Sequence, residues 1–468
     1  LFEANGNQGS NSLQSYYGRL TYDYAGKYLF NTTIRRDGSS VMAPGHQWGT
    51  FPSASVGWVI SKENFFSSFT SVINNLKIRG SWGKNGSISN VTVGAWNSAI
   101  INGVTIRYPV DNNNTLLNGT EPNNLPNYDL KWETSEQTDI GLDIGLLRNR
   151  LTLSADYFIK LTKDLLTPGV APGFTGFGLP FINGGNVKNS GLELELSYRN
   201  DDRPFKYGLS FNIAAIKNKV TYLNPIYPRI LTDINRITYS AFEKGFPIWY
   251  FYGYKTEGIF QNQKQIDDYA AKHNLTGYNP KPGDPIIQNT KDDGIISNDD
   301  MTNIGSPYPD YTFGTHLDLS YKGFDLLVFV QGQVGNKILL AFNRTDFPYS
   351  NKLQYWYTKR WTGENSTNSF FRADVDNPFV YGSDMMIFDG SFVRVKQLQI
   401  GYSLPKMLTT KIGLNNLRIY ASMDDYFTFT KYPGMDPEGG THNGQAYSVD
   451  NMMYPVSGRI LVGLNLKF

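Results

Sequence analysis

Apolar and polar residues alternate along most of this chain. In the closing segment, Ile460, Val462, Leu464, Leu466 and Phe468 share one parity, and Leu461, Gly463, Asn465 and Lys467 share the other. A two-residue period describes a strand with one fully apolar face and one mixed face. The same pattern recurs upstream. Leu20, Tyr22 and Tyr24 oppose Arg19, Thr21 and Asp23, and Leu76, Ile78 and Trp82 oppose Lys77, Arg79 and Ser81. Ile140, Leu142 and Ile144 oppose Asp139, Gly141 and Asp143, and Leu192, Leu194 and Leu196 oppose Glu193 and Glu195. Leu317 and Leu319 oppose His316 and Asp318, and Leu417 and Ile419 oppose Arg418 and Tyr420. Charges therefore recur mid-strand on one face. That face is either the outside of a soluble sandwich or the wet lumen of a membrane barrel.

The connectors separate these readings. Leu147-Arg148-Asn149-Arg150 and Lys322-Gly323 are short enough to close hairpins. Asn-, Gly- and Pro-rich stretches at 84–131, 215–248, 261–309, 334–388 and 431–457 are far longer. Short turns at one strand end and long loops at the other are the asymmetry of outer-membrane barrels. The pattern predicts about fourteen strands at the ~9–11 residues of a tilted spanning strand. It also predicts a polar helix over Gln263–His273 inside a long loop.

Composition narrows the classes. The 468 residues are 40% hydrophobic, with a mean hydropathy of −0.38. No run approaches the ~20 apolar residues of a membrane helix; Phe324–Val330 is interrupted by Asp325. A barrel escapes such statistics because half of each strand is polar. The 31 Tyr and 29 Phe suit interfacial girdles. A net charge of +2 with no basic run gives no basis for a nucleic-acid partner. The absence of cysteine excludes disulfides, thiolate metal sites and cysteine nucleophiles. The chain starts at Leu1 without a Met or signal peptide, as a mature or cut fragment would.

Ordered short motifs run through nearly the whole chain. They include Tyr17-Gly18-Arg19-Leu20, Arg35-Arg36-Asp37-Gly38-Ser39-Ser40 and Trp48-Gly49-Thr50-Phe51-Pro52-Ser53. Trp132-Glu133-Thr134, Gly191-Leu192-Glu193 and Gly258-Ile259-Phe260-Gln261 follow. Asp389-Gly390-Ser391-Phe392-Val393-Arg394-Val395-Lys396, Gly401-Tyr402-Ser403-Leu404-Pro405 and Asp436-Pro437-Glu438 complete the series. In these motifs the chain resembles the C-terminal barrel portion of the SusC/RagA-type TonB-dependent outer-membrane transporters. Asp424-Asp425 stands where the family pattern expects Gln-Asn.

The resemblance implies an all-β, transmembrane antiparallel β-barrel, with residues 1–468 the C-terminal part of a plugged barrel of roughly 22 strands. The N-terminal plug and TonB-binding segment are then expected outside this chain. Also implied is a non-enzymatic importer in a Gram-negative outer membrane. Its expected partners are a SusD-like surface lipoprotein, TonB, its own plug and an oligosaccharide or oligopeptide; family members often form a dimer of transporter–lipoprotein pairs. Loop Asn, Tyr and Trp favour glycan, because aromatic faces stack on sugars and amides bond hydroxyls. The alternatives are oligopeptide import, a passive porin, or a secreted β-rich carbohydrate-binding or hydrolytic protein.

Among candidate sites, Tyr355, Trp356 and Tyr357 with Trp361 are expected to contact substrate or a partner from a long loop. Trp249-Tyr250-Phe251-Tyr252 reads as the start of a strand. Asn289–Asp300 resembles a calcium loop, with Asn289, Asp293, Ser297 and Asp300 offering side-chain oxygens and Ile295 its carbonyl. Lys291 occupies a ligand position there, which favours an acidic turn without metal. No cofactor is otherwise required. Arg35-Arg36-Asp37 reads as a strand end opening an Asp-Gly turn. Glu193 and Glu195, about 7 Å apart along one strand face, read as lumen-wall carboxylates with no catalytic partner. His46, His273, His316 and His442 show no metal-ligand spacing. Arg79, Asp156, Glu193 and Asp318 are expected to line the wall and hold the plug.

Overall fold

The alternating segments pair in chain order into one sheet of thirteen strands. The computed structural model describes residues 10–468 except 90, 92, 99, 110–115, 123–124, 169–180, 226–227, 235–236, 342–352, 374–377, 441–445 and 452. Numbered in chain order, β1 to β4 are Leu13–Tyr24, Tyr28–Ser39, Trp48–Val59 and Ile73–Ser87. Strands β5 to β8 are Glu133–Leu146, Leu151–Pro168, Phe181–Asn200 and Phe205–Leu223. Strands β9 to β13 are Tyr311–Tyr321, Phe324–Val334, Phe392–Ser403, Asn416–Thr430 and Arg459–Lys467.

The tight turns lie at one end of the strands and the four longest connections at the other. Ala25 and Gly26 close β1–β2 at φ 56° and 61°, and Lys322 and Gly323 close β9–β10 at 46° and 89°. These left-handed pairs match the twist of a tight hairpin. Leu147, Arg148 and Asn149 turn β5 into β6, also at positive φ. The segments after β4, β8, β10 and β12 are the long ones, residues 224–310 the longest, whereas residues 40–47 after β2 are fewer than residues 60–72 after β3.

The chain divides into two compact units. The first comprises residues 1–144, 156–191 and 218–230. Tyr24, Tyr28, Trp58 and Ile78 stand in one cross-strand row of β1 to β4. These side chains are exposed, as are Leu20, Tyr22, Ile34, Val56, Ile140 and Tyr157.

The second unit comprises residues 145–155, 192–217 and 231–468. Leu209, Leu317, Val328, Leu398, Met423 and Ile460 form a row across β8 to β13, and Leu319, Leu326, Ile400, Ala421 and Val462 form the next. Val462 is 78% exposed. Contiguous apolar rows that carry exposed Leu209, Ile400, Ile460 and Val462 are unusual on a soluble monomer, and they suit acyl chains.

Two packed clusters lie in the loops and short strands of the second unit. Phe251, Ile338, Leu340, Trp356, Phe370, Phe371, Val380 and Tyr432 form one cluster. Tyr254, Phe260, Ile266, Tyr278, Ile287, Ile296 and Phe379 form another. Helix α1, Gln263–Ala270, stops short of the expected His273; the Asn262 side chain caps it, accepting from Gln265 N–H at 3.0 Å. A second helix, α2 (Gln354–Lys359), was not anticipated, because six residues are too few to show a helical period. Two expected loops start late: β4 runs to Ser87 and β8 to Leu223, past the 84 and 215 starts. A strand that extends past the apolar band needs no apolar face, so Lys84–Ser87 shows no alternation by which to extend the strand. His442 and parts of the expected loops lie outside the described residues.

Candidate functional site

The polar parity of the sheet gathers charge into compact networks. In the first unit, Lys77 and Arg79 of β4 face Asp139 and Asp143 of β5 and Asp156 of β6. Arg79 Nη1 lies 2.6 Å from Asp156 Oδ1 and 3.4 Å from Asp139 Oδ1, and Nε lies 3.2 Å from Asp143 Oδ2. Lys77 Nζ is 3.6 Å from Asp143. Gly141, between the two β5 aspartates, leaves room for the guanidinium; a Cβ there would sit 2.5 Å from Arg79 Cζ. Gly141→Ala is expected to displace Arg79 and destabilise the protein by about 1–3 kcal/mol through overpacking, measured as a lower urea midpoint. An unchanged midpoint would mean the network has slack that these distances deny.

The second unit repeats the device. Arg418 of β12 donates to Asp325 of β10, Nε to Oδ1 at 2.9 Å, and Gly401 between them would place a Cβ 2.5 Å from Arg418 Nη2. Arg394 of β11 is only 2% exposed. Its Nη2 meets Asp436 Oδ1 at 2.5 Å, Nη1 meets Glu438 Oε2 at 2.6 Å, and Nε donates to Thr428 Oγ1 at 2.9 Å. Asp436 also accepts from the Glu438 and Val456 N–H groups, each at 2.8 Å. Lys396 adds Asp425 at 2.7 Å. The 436–438 segment is thus clamped to the wall.

Other wall residues from the sequence lie where alternation puts them. Glu193 and Glu195 are exposed on the polar parity. His316 Nδ1 is 3.0 Å from Asp318 Oδ2. His273 lies against the Tyr269 ring. Among the described residues, no group of three or more His, Asp or Glu side chains could hold a metal.

The loop aromatics divide sharply. Trp356 is buried, with Phe370 and Phe371 ring centroids at 5.3 and 5.1 Å. Tyr355 packs edge-on against Phe370 and Phe388. This corrects the expectation for Trp356: α2 turns it inward to supply the loop core. Tyr357 remains 73% exposed, with the Arg360 guanidinium 4.5 Å from its ring. Trp361 is partly exposed, and its indole N–H donates to Gln261 Oε1 at 3.1 Å. Gly283, at φ 93°, admits the Trp361 ring. Trp249 and Tyr250–Tyr252 are buried, the latter three in a short strand.

The 289–300 segment closes through Asp300, which is buried. Its Oδ1 accepts from Thr290 and Lys291 N–H at 2.8 and 3.3 Å, and its Oδ2 from Ser297 N–H at 3.0 Å. Asp293 Oδ1 accepts from Ile295 N–H at 2.9 Å, and the Asn289 side-chain amide faces His273. Asp300→Ala leaves three amides without their acceptor and is expected to destabilise this loop by about 1–3 kcal/mol, read as faster amide exchange at Thr290, Lys291 and Ser297. Unchanged exchange would contradict that role. Nearby, burial pushes the Asp284 carboxyl up, opposed by the Lys281 N–H and by Arg372 Nε at 2.8 Å. Burial raises the Tyr278 phenol above its ordinary range.

A cleft of about 640 Å³ opens beside α1. Gln261, Gln265, Asn365, Thr367 and Asn368 give it amide and hydroxyl groups, and Glu257, Asp268, Lys272 and His273 give it charge. Sequence reasoning missed this cleft and the Arg394 clamp. The motifs holding Arg394 and Asp436 were visible, but their pairing across 42 residues was not.

Residues 2–417 match the family described as TonB dependent receptor-like, beta-barrel. The chain belongs to that family. It is similar to a TonB-dependent receptor of Formosa agariphila, 35% identical across 97% of this chain and 45% of that protein. It is also similar to the TonB-dependent receptor SusC of Bacteroides thetaiotaomicron, 28% identical across 98% of this chain and 44% of that protein. The chain thus spans about half the length of these relatives. The structure of the RagAB peptide transporter superposes with a TM-score of 0.78 at 22% identity, covering 98% of this chain and 48% of that one. Membership accounts for the uncovered apolar rows: the TonB-dependent receptor strands cross the outer membrane. No described helix is long and apolar enough to cross one.

Proposed function

We propose that the full-length protein carrying this chain is an active outer-membrane importer of oligosaccharides. It works with a SusD-like surface lipoprotein and is energised by TonB. The observation that carries this reading is the two-faced sheet, apolar rows on one side and clustered ion pairs on the other. Such a wall separates lipid from a hydrated passage. The similarity to SusC supports the SusD-like partner, and the aromatic and amide residues of the loops support the glycan class. So do the amides and hydroxyls of the cleft beside α1, since they match sugar hydroxyls as donors and acceptors. The reaction is binding and gated passage, with no bond chemistry.

Oligopeptide import is the second reading. It is favoured by Glu257, Asp268, Lys272 and His273 in the same cleft, which suit charged termini, and by the structural likeness to a peptide transporter. The test is uptake of labelled oligosaccharide and oligopeptide pools by cells carrying the full-length protein, with and without TonB. Oligosaccharide uptake lost on TonB deletion is expected. Peptide uptake alone would select the second reading. Uptake surviving without TonB would replace both with a passive pore.

A further inference from the structure

The motif Arg35-Arg36-Asp37-Gly38 splits between the two faces of β2, and one half has no role in the wall. On the polar face, Arg35 Nε donates to both Asp37 carboxylate oxygens, at 2.8 and 2.7 Å. On the opposite face, Arg36 lies in the row of exposed Ile34, where the family's strands meet lipid. Among the described residues Arg36 has no carboxylate within ion-pair distance. Lys163, by contrast, is answered by Glu136 at 2.7 Å.

Arg36 is instead held by aromatic rings. Its guanidinium carbon is 5.3 Å from the centre of Trp48, which stacks on Tyr16 at 6.0 Å and 21°. Gly38 pairs with Trp48 across β2–β3 and lets the indole lie flat, since a Cβ there would fall 2.8 Å from the ring. Both rings are exposed. This group stands at the end of β2, the same end of the antiparallel strands at which β4 enters the long 88–132 connection, which marks the cell-surface side. An arginine facing hydrocarbon is unfavourable at the membrane midplane and is tolerated at the interface, where it reaches phosphate.

We propose that Arg36, Trp48 and Tyr16 bind the phosphorylated sugar head group of a glycolipid in the outer leaflet. The planar guanidinium pairs bidentately with a phosphate, and its stacking on Trp48 fixes the fork. The exposed ring faces receive the apolar side of the sugar.

The test uses the delipidated full-length protein in detergent. It is titrated with a diphosphorylated glucosamine glycolipid, its dephosphorylated form, or inorganic phosphate, and binding is read by native mass spectrometry. Wild type is expected to bind the phosphorylated glycolipid preferentially. Arg36→Gln should weaken binding about fivefold, the factor one basic residue contributes at an anionic surface. Arg36→Lys should restore most of it, and Trp48→Phe should weaken it by a smaller factor. Should Arg36→Gln fail to fold, the Arg36→Lys and Trp48→Phe values decide. Equal binding of the dephosphorylated lipid, unchanged affinity in Arg36→Gln or in Trp48→Phe, or inorganic phosphate displacing the lipid at matched concentration would overturn the proposal.

Discussion

Arg394→Ala is expected to destabilise the protein by about 3–5 kcal/mol, the range for breaking a buried ion pair from one side. The magnitude follows from what is left behind. Asp436 and Glu438 lose their cation at 2.5 and 2.6 Å in a site where Arg394 itself is 2% exposed. Asp436 keeps its bonds from the Glu438 and Val456 amides, so the carboxylate cannot turn to water without unfastening the loop. Urea unfolding reports the loss, and limited proteolysis near 431–440 reports the released segment. Replacing all three groups by apolar or amide isosteres, Arg394→Met with Asp436→Asn and Glu438→Gln, is expected to recover most of the stability, since no buried charge then remains. A loss below about 1 kcal/mol for Arg394→Ala, the range of an exposed pair, would mean that water reaches the clamp.

Adjacent residues in α2 give the second large contrast. Trp356→Ala removes the ring that Phe370 and Phe371 enclose and is expected to destabilise the loop core by about 3–5 kcal/mol. Tyr357→Ala, one residue on, exposes nothing new and is expected to stay within about 0.5 kcal/mol. The Trp356 effect is confined, because the apolar cluster it belongs to draws on loop segments and short strands. Amide exchange should therefore quicken at Phe370, Phe371 and Val380 while β9 to β13 retain their protection. Equal effects for the two variants would contradict the inward placement of Trp356.

The large sheet was legible because a strand exposed to lipid on one side and water on the other must alternate, residue by residue. Ile460 to Phe468 shows it openly, and the tight turns at Lys322-Gly323 and Leu147–Arg150 mark the hairpins. The loops were not legible, because their order depends on contacts far apart in sequence. Gln261 reaches Trp361 and Asn365, and Asp384 takes the Thr256 hydroxyl at 2.7 Å. No local period encodes such pairs. The wall site was half legible: alternation placed Arg79, Asp139, Asp143 and Asp156 on one face, but only the register of β4, β5 and β6 brings them together. Trp356 misled for a related reason. Aromatic residues in a polar stretch look like a ligand platform until the core they belong to is seen.

One parity of each strand meets lipid and the other meets water. The chain contains no cysteine, so single cysteines at Ile140, Val462 and Leu464 and at Glu193, Asp318 and Asn465 in the full-length protein can each carry a spin label. Collision with oxygen and with a water-soluble nickel chelate then measures each environment in a reconstituted bilayer. Oxygen-rich, chelate-poor signals are expected at the first three positions and the reverse at the second three. Chelate access at Ile140, Val462 and Leu464 equal to that at Glu193, Asp318 and Asn465 would contradict it.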